Sequence, residues 1–303
     1  MKCSLCPRKC DLGELKNKGK GYCIDFGKGS FATAQGEDIR LARAGLHMWE
    51  EPCISGINGS GTIFFSGCSL RCVYCQNYEI SHEGIGKEIT RERLGEIFDE
   101  LAESGAHNIN LVSSTHYVQQ IYELFDKGYK KKIPFVYNSS GYESVNTIKK
   151  LDGIIDIYMP DIKYFDKEIS FKYSNVPDYF LVAIRAVEEM YSQKGNLQFD
   201  DQGIAQKGVL IRHLVLPGYT KDSKDIINSI EEYFSNKAYM SIMSQYIPAG
   251  RASEYSEINR KLMSYEYKKV CDYCQERGFQ NVYVQSKGAA KESYVPMFDL
   301  SGI

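Results

Sequence analysis

The sequence contains no run approaching the ~20 consecutive apolar residues that a membrane-spanning helix needs. No apolar stretch of the signal-peptide kind precedes the first cysteines, Cys3 and Cys6. An excess of either charge is also missing: 37 Lys and Arg stand against 39 Asp and Glu, for a net charge of -2. That balance excludes a general nucleic-acid binder and a basic membrane-surface protein. The local basic run Lys130, Lys131 and Lys132 reads as a solvated helix end. Low-complexity tracts are absent too, so the composition is that of an ordinary globular chain. These absences set three expectations: no membrane partner, no nucleic-acid partner and a cytoplasmic location, where thiols stay reduced and structural disulfides are rare.

Against that background, ten cysteines in 303 residues are too many to be small core fillers. Their spacing separates them into groups. Cys3, Cys6, Cys10 and Cys23 follow a C-x2-C-x3-C-x12-C pattern in a segment with little apolar content. Such a segment needs a metal or the main domain to order it. Four thiolates there suit a tetrahedral zinc or a second iron–sulfur cluster. Cys271 and Cys274 share one face of an expected helix and read as core thiols. Cys53 reads either as a buried structural cysteine or as a substrate-side thiol.

From residue 61 onward short apolar runs alternate with longer amphipathic ones. Strands are expected at Thr62–Ser66, His107–Val112, Ile133–Tyr137, Ile154–Met159, Val209–Leu216, 239–246 and Val282–Gln285. Helices are expected over 90–104, 117–127, 144–151, 176–192, 223–234 and 254–276. This repetition predicts an α/β fold with a mostly parallel sheet covered on both faces. Periodicity leaves closed barrel, open barrel and doubly wound sheet as alternatives, all with a site at the C-terminal strand ends. The division expected is a cysteine-rich segment and connection over 1–56, then the main domain with a C-terminal extension over 57–303.

The sharpest pattern is Gly67-Cys68-Ser69-Leu70-Arg71-Cys72-Val73-Tyr74-Cys75-Gln76-Asn77, which follows the first of these strands. Thiolates are natural ligands for iron–sulfur iron, and three of them leave one iron of a cubane open. A zinc site would want a fourth ligand at short range, and a disulfide is disfavoured in the expected compartment. Gly67 permits a tight strand exit and close backbone approach. Asn77 reads as a helix cap or as a contact to the cofactor or cluster shell.

C-x3-C-x2-C, with the aromatic Tyr74 before its last cysteine, resembles the signature of the radical S-adenosylmethionine superfamily. Over roughly residues 60–250 the chain looks closest to the activating enzymes of glycyl radical enzymes, and within those to pyruvate formate-lyase activating enzyme-like proteins. The resemblance implies a partial (β/α)6 TIM-like barrel preceded by the small cysteine-rich segment. It further implies a [4Fe–4S] cluster on Cys68, Cys72 and Cys75, and S-adenosylmethionine chelating the open iron. Tyr74 and Asn77 fall among the implied cofactor-side residues. One electron, from a reductant such as flavodoxin or ferredoxin, would split the cofactor and start hydrogen abstraction under anaerobic conditions.

Other strand ends fit the same resemblance with departures. Ser113-Ser114-Thr115-His116 stands where activating enzymes carry a Gly-Gly-Glu segment, so Ser113 and Ser114 are the candidates there and a carboxylate is missing. A nearby buried carboxylate would compensate. Tyr137-Asn138-Ser139-Ser140-Gly141 and Met159-Pro160-Asp161-Ile162-Lys163 match segments that hold a monovalent cation beside the cofactor. Asn138, Ser139, Met159 and Asp161 carry over as its candidate ligands, and Lys163 as a contact to the cofactor carboxylate. Arg212 lies in an apolar strand, where an unpaired guanidinium is costly, and it matches a cofactor-approaching arginine. His213 points the other way and reads as structural; His116 reads either way. The leading function is hydrogen abstraction from a glycyl radical enzyme. Radical modification of a small molecule, peptide or RNA is the alternative, and a non-catalytic metal module comes last.

Overall fold

Each apolar run between Thr62 and Met243 that the sequence marks as a strand pairs in parallel with its neighbour. The computed structural model describes residues 2–11, 21–24, 39–285 and 296–303. Elements follow in the order β1 (Ile39–His47), α1 (Pro52–Ser55), β2 (Ser60–Phe65), α2 (Tyr78–Ser81), β3 (Lys87–Ile89), α3 (Arg91–Glu103) and β4 (Ile109–Val112). Next come α4 (Val118–Asp126), β5 (Phe135–Ser139), α5 (Val145–Lys150), β6 (Ile157–Pro160), α6 (Lys167–Ser174) and α7 (Tyr179–Lys194). The chain continues through β7 (Gln198–Phe199), β8 (Ala205–Leu214), α8 (Thr220–Phe234), β9 (Tyr239–Met243), α9 (Ser264–Glu276) and β10 (Val282–Val284).

The sheet order is β10-β9-β8-β6-β5-β4-β2-β1-β3, with β7 beside β8. The run from β2 to β9 is the six-stranded β/α series of a partial TIM-like barrel. β10 extends it in parallel, whereas β1 closes the other side antiparallel to both β2 and β3. Among the described residues the two end strands do not pair, so the barrel is open.

Strand alternation sends successive side chains to opposite faces. Phe135, Tyr137, Tyr158, Val209, Ile211, Met240 and Ile242 pack outward into the main core under the helices. Val136, Ile157, Met159 and Leu210 point inward and pack on Cys53 and Ile54 of α1. The connection after β1 therefore fills the lumen. Ile54 has no exposed surface, and burying such a side chain contributes about 1.5–3 kcal/mol. Cys53 is part of this plug, and burial raises its thiol to about 11, which places it as a structural residue rather than a substrate-side thiol. Residues 39–56, grouped by sequence with the N-terminal cysteines, thus contribute a strand and the lumen filling to the main sheet.

Two further differences from the sequence expectation have local causes. The helix expected over 254–276 begins only at Ser264, because the Glu266 carboxylate folds back onto the Met263 N–H (3.0 Å) and pairs with Arg260 (2.7 Å). Helix α6 was not foreseen; Asp166 caps it by accepting from the Glu168 and Ile169 N–H groups, and Asn175 ends it in the left-handed conformation (φ 52°).

The N-terminal cysteine segment docks on the loop after β2. The Cys68 N–H donates to the Cys23 carbonyl at 3.1 Å. Arg8 stacks on Tyr22 at 3.7 Å and donates to the carbonyls of Ser69, Leu70 and Ser174. Gly67 is required at this junction: its φ is 99°, and a Cβ there would lie 2.4 Å from the Cys23 oxygen. No described helix is long and apolar enough to cross a membrane.

Candidate active site

A cavity opens at the C-terminal ends of the barrel strands. On one side it is lined by Cys68, Cys72 and Cys75, and on the other by Asn138, Ser139, Asp161, Lys163 and Arg212. These four stretches are far apart in sequence and meet there, as the βα rule for such sheets predicts.

Each of the three sulfurs accepts hydrogen bonding. Cys68 Sγ accepts from the Leu70 N–H (3.4 Å), Cys72 Sγ from Ser174 Oγ (3.1 Å) and Cys75 Sγ from Ser81 Oγ (3.4 Å). Tyr74 anchors the loop. Its ring packs edge-on against Tyr164, Tyr173 and Tyr246, and its hydroxyl donates to Tyr164 at 2.7 Å. Asn77 lines the cavity and makes no side-chain cap for α2.

On the opposite wall, Arg212 Nε donates to Asp161 Oδ1 at 2.9 Å, and Lys163 Nζ lies 2.5 Å from Asp161 Oδ2. Burial by itself would raise the Asp161 carboxyl, but Arg212 and Lys163 more than reverse this and hold it below its ordinary range. Burial likewise opposes the charge on Arg212, and Asp161 with Glu50 restores it. The pairing expected for a buried arginine is therefore present. Both Asp161 oxygens are taken by these two cations.

The family model of the Radical SAM superfamily matches residues 62–230, more than half of the chain. The chain belongs to the radical SAM superfamily. An uncharacterized protein of Methanocaldococcus jannaschii is 30% identical over 289 residues, spanning 93% of this chain and 76% of its own. Among solved structures, the radical S-adenosylmethionine methyltransferase TsrM from Kitasatospora setae, with cobalamin and a [4Fe–4S] cluster bound, has a TM-score of 0.48 at 12% identity. Streptococcus suis SuiB has a TM-score of 0.47 at 12% identity. The matches cover 66% and 76% of this chain, and it spans only 39% and 49% of those two.

This protein is a radical SAM enzyme, and membership implies a [4Fe–4S] cluster and S-adenosylmethionine. The donor set fits both groups. Among the described residues no three His, Cys, Asp or Glu side chains converge as a single-ion site would. A cubane makes no such demand, since each thiolate binds a different iron. The facing wall carries both signs of charge, which suits the ammonium and carboxylate of a methionyl group.

Of the other sequence candidates in this radical SAM enzyme, Ser113 reaches the cavity and the rest fall outside it. Ser113 lines it in the left-handed conformation (φ 60°), whereas Ser114 is fully buried behind the wall, its hydroxyl without a partner. His116 is buried with Nε2 2.8 Å from the Ser66 carbonyl, and His213 bonds the Ile162 carbonyl and Ser223; burial pulls both rings down to about 4. Cys3, Cys6, Cys10 and Cys23 lie in the N-terminal segment without converging as a single-ion site would. Lys9 turns the chain back on the Cys6 carbonyl, the Tyr22 N–H points at Cys10 Sγ (3.4 Å), and burial raises the Cys6 thiol to about 12. Cys271 and Cys274 pack against and within the main core.

The carboxylate missing from the Ser113–Thr115 segment has two structural counterparts. Glu143 is buried, accepting from Thr115 Oγ1 (2.7 Å) and the Tyr137 hydroxyl (3.2 Å), but it does not line the cavity. Burial raises it to about 8 although both hydroxyls oppose the shift. The folded state then keeps a proton that the unfolded chain, with an ordinary value of 4.5, has lost. Its stabilising contribution is complete below 4.5, declines as pH rises and is gone above about 8. Urea titrations of apo wild type and Glu143→Gln between about pH 5 and about pH 8 should show this slope, on the order of 1.4 kcal/mol per unit, only in wild type. Equal slopes would refute a neutral Glu143.

Glu50 is the second counterpart, and sequence reasoning missed it. It lines the cavity with Trp49 and His47, delivered by the turn between β1 and α1. Nothing local marks Glu50 as largely withdrawn from solvent. The available signal was Asn110, an amide in the apolar run Ile109–Val112, whose Nδ2 donates to Glu50 at 3.0 Å.

Proposed function

We propose that Cys68, Cys72 and Cys75 hold the [4Fe–4S] cluster, and that Asn138, Ser139, Lys163 and Arg212 form the S-adenosylmethionine wall. The product radical then abstracts a hydrogen atom from a glycyl radical enzyme. The observation carrying this reading is the single cavity in which three hydrogen-bonded sulfurs face a wall of paired charges.

Cys68, Cys72 and Cys75 would hold a cluster that, once reduced, would supply the one electron needed for reductive cleavage of S-adenosylmethionine at its C5′–S bond. The chain's own residues do the rest. Ser81, Ser174 and the Leu70 amide donate to the sulfurs and stabilise thiolate charge. Lys163 and Arg212 face the methionyl carboxylate, while Asp161 holds both cations in place. Leu70, Val73 and the tyrosines around Tyr74 exclude water from the back of the loop. Hydroxyls of that cluster stay protonated because burial raises them.

The glycyl-radical target is supported by the strand-end segments Tyr137–Gly141 and Ile157–Lys163. A polypeptide substrate also suits the mouth, where Trp49 lines the cavity while 58% exposed, beside exposed Met48 and Leu46. A small carrier of flavodoxin or ferredoxin type is the proposed reductant. The four N-terminal cysteines are proposed to bind a structural or electron-transferring metal group.

The test is anaerobic reconstitution, reduction and chromatography for 5′-deoxyadenosine and methionine. With a glycyl radical enzyme encoded beside this chain's gene, a doublet glycyl radical signal should then appear by electron paramagnetic resonance. Cleavage without that signal refutes the proposed target and favours a small molecule, peptide or RNA. Absence of cleavage refutes the site.

A further inference from the structure

Three side chains from separate elements close a hydrogen-bonded ring beneath the cofactor wall. Arg212 Nη1 donates to Glu50 Oε2 (3.3 Å), Arg212 Nη2 donates to Asn138 Oδ1 (2.6 Å), and Asn138 Nδ2 donates back to Glu50 Oε1 (3.4 Å). Asn110 Nδ2 adds a further donor to Glu50 Oε1 at 3.0 Å. The guanidinium is thereby held from both edges, by Asp161 at Nε and by Glu50 at Nη1. The Asn138 amide has one workable orientation, because turning it would set its oxygen against the Glu50 carboxylate.

Charge gives a second reason for Glu50. Lys163 and Arg212 both bond the carboxylate of Asp161, and all three are largely withdrawn from solvent; Glu51 also acts on Arg212, but burial opposes its charge and raises its carboxyl. Two cations against one anion would leave an uncompensated buried charge, which is costly. Glu50, with its side chain 11% exposed, balances the second cation.

We propose that Glu50 is a positioning residue for the cofactor wall, fixing the orientations of Arg212 and Asn138. The β1–α1 connection is then part of the active site as well as the plug of the lumen. This rests on the reading that the wall binds S-adenosylmethionine.

Exchanging the charge between two ring members tests it. Glu50→Gln removes the anion beside Arg212 and opposes an amide donor to the Asn138 donor. Asn138→Asp places two carboxylates against each other. The pair Glu50→Gln with Asn138→Asp restores one anion, with the bond between the two positions reversed in direction. Anaerobic equilibrium dialysis of S-adenosylmethionine against iron-replete wild type and the three variants gives the affinities. Each single variant should bind about tenfold or more weakly at unchanged iron content, the loss of one hydrogen bond to a charged group. The double variant should recover to within about threefold of wild type, against a combined loss of about a hundredfold if the effects were independent.

Wild-type affinity in Glu50→Gln overturns the positioning role, and so does a double variant as weak as the product of the singles. Should either single variant fail to fold, recovery of fold and affinity in the double supports the ring, and failure of the double overturns it. Wild type that binds no S-adenosylmethionine overturns the proposed function instead, and this inference with it.

Discussion

Alanine at Cys68, Cys72 or Cys75 should abolish cleavage of S-adenosylmethionine, with 5′-deoxyadenosine falling to the level of a protein-free control. Each substitution removes one of three thiolates, and no other cysteine lines the cavity to replace it. The loss should also appear as lower iron after anaerobic reconstitution and loss of the reduced-cluster resonance. Full cleavage by any one of the three variants would refute the ligand assignment. The same metal analysis separates the two cysteine groups. A Cys3→Ala/Cys6→Ala variant should lose about one zinc if the N-terminal site is tetrahedral, or about four irons if it is a second cubane. Unchanged zinc and iron in that variant would leave the N-terminal thiols without a metal role. Because Cys23 receives the Cys68 N–H and Arg8 binds the carbonyls of the same loop, metal loss there should also loosen the Cys68 side of the cavity.

The second large effect is expected at Arg212. Arg212→Ala leaves Asp161 with Lys163 alone and Glu50 with amide donors alone. Removing one member of a buried charge network costs about 3–5 kcal/mol, so the variant should unfold at markedly lower denaturant concentration. Iron content should remain near wild type, since Arg212 touches none of the three sulfurs. Cofactor affinity and cleavage should fall on the order of 100-fold, because a misplaced reacting bond is penalised even when every reactant is present. Arg212→Lys keeps the charge without the planar fork and should recover stability better than cleavage. Equal affinity and cleavage in Arg212→Ala would remove Arg212 from the cofactor wall.

The main features of the fold could be read from residue order because they depend on short spacings. The apolar runs around Ile63, Leu111, Val136, Tyr158, Ile211 and Met240 each specify a strand by themselves, and the intervening helices force parallel pairing. The arginine in β8 was legible for a different reason: a guanidinium in an apolar strand must be paired, and in the structure Asp161, Glu50 and Asn138 pair it. His116 was ambiguous because its role depends on the Ser66 carbonyl 50 residues away. The helix expected from residue 254 was read too long because the Glu266 cap that starts it later competes with nothing visible in the local pattern.

By itself the sequence determined that three cysteines follow a strand at cluster spacing and that a β/α series surrounds them, since both properties act within a few residues along the chain. Only the tertiary structure decided which charges meet. Glu50 lies in a short connection whose destination depends on β1 turning back antiparallel along β2 and sending α1 into the lumen. Its partners are 88 residues away at Asn138 and 162 away at Arg212. The docking of Cys23 on Cys68 is similarly remote, and depends on the absence of a side chain at Gly67. Contacts of this kind are selected by burial and electrostatics in the assembled barrel, where an unpaired charge has no water to turn to.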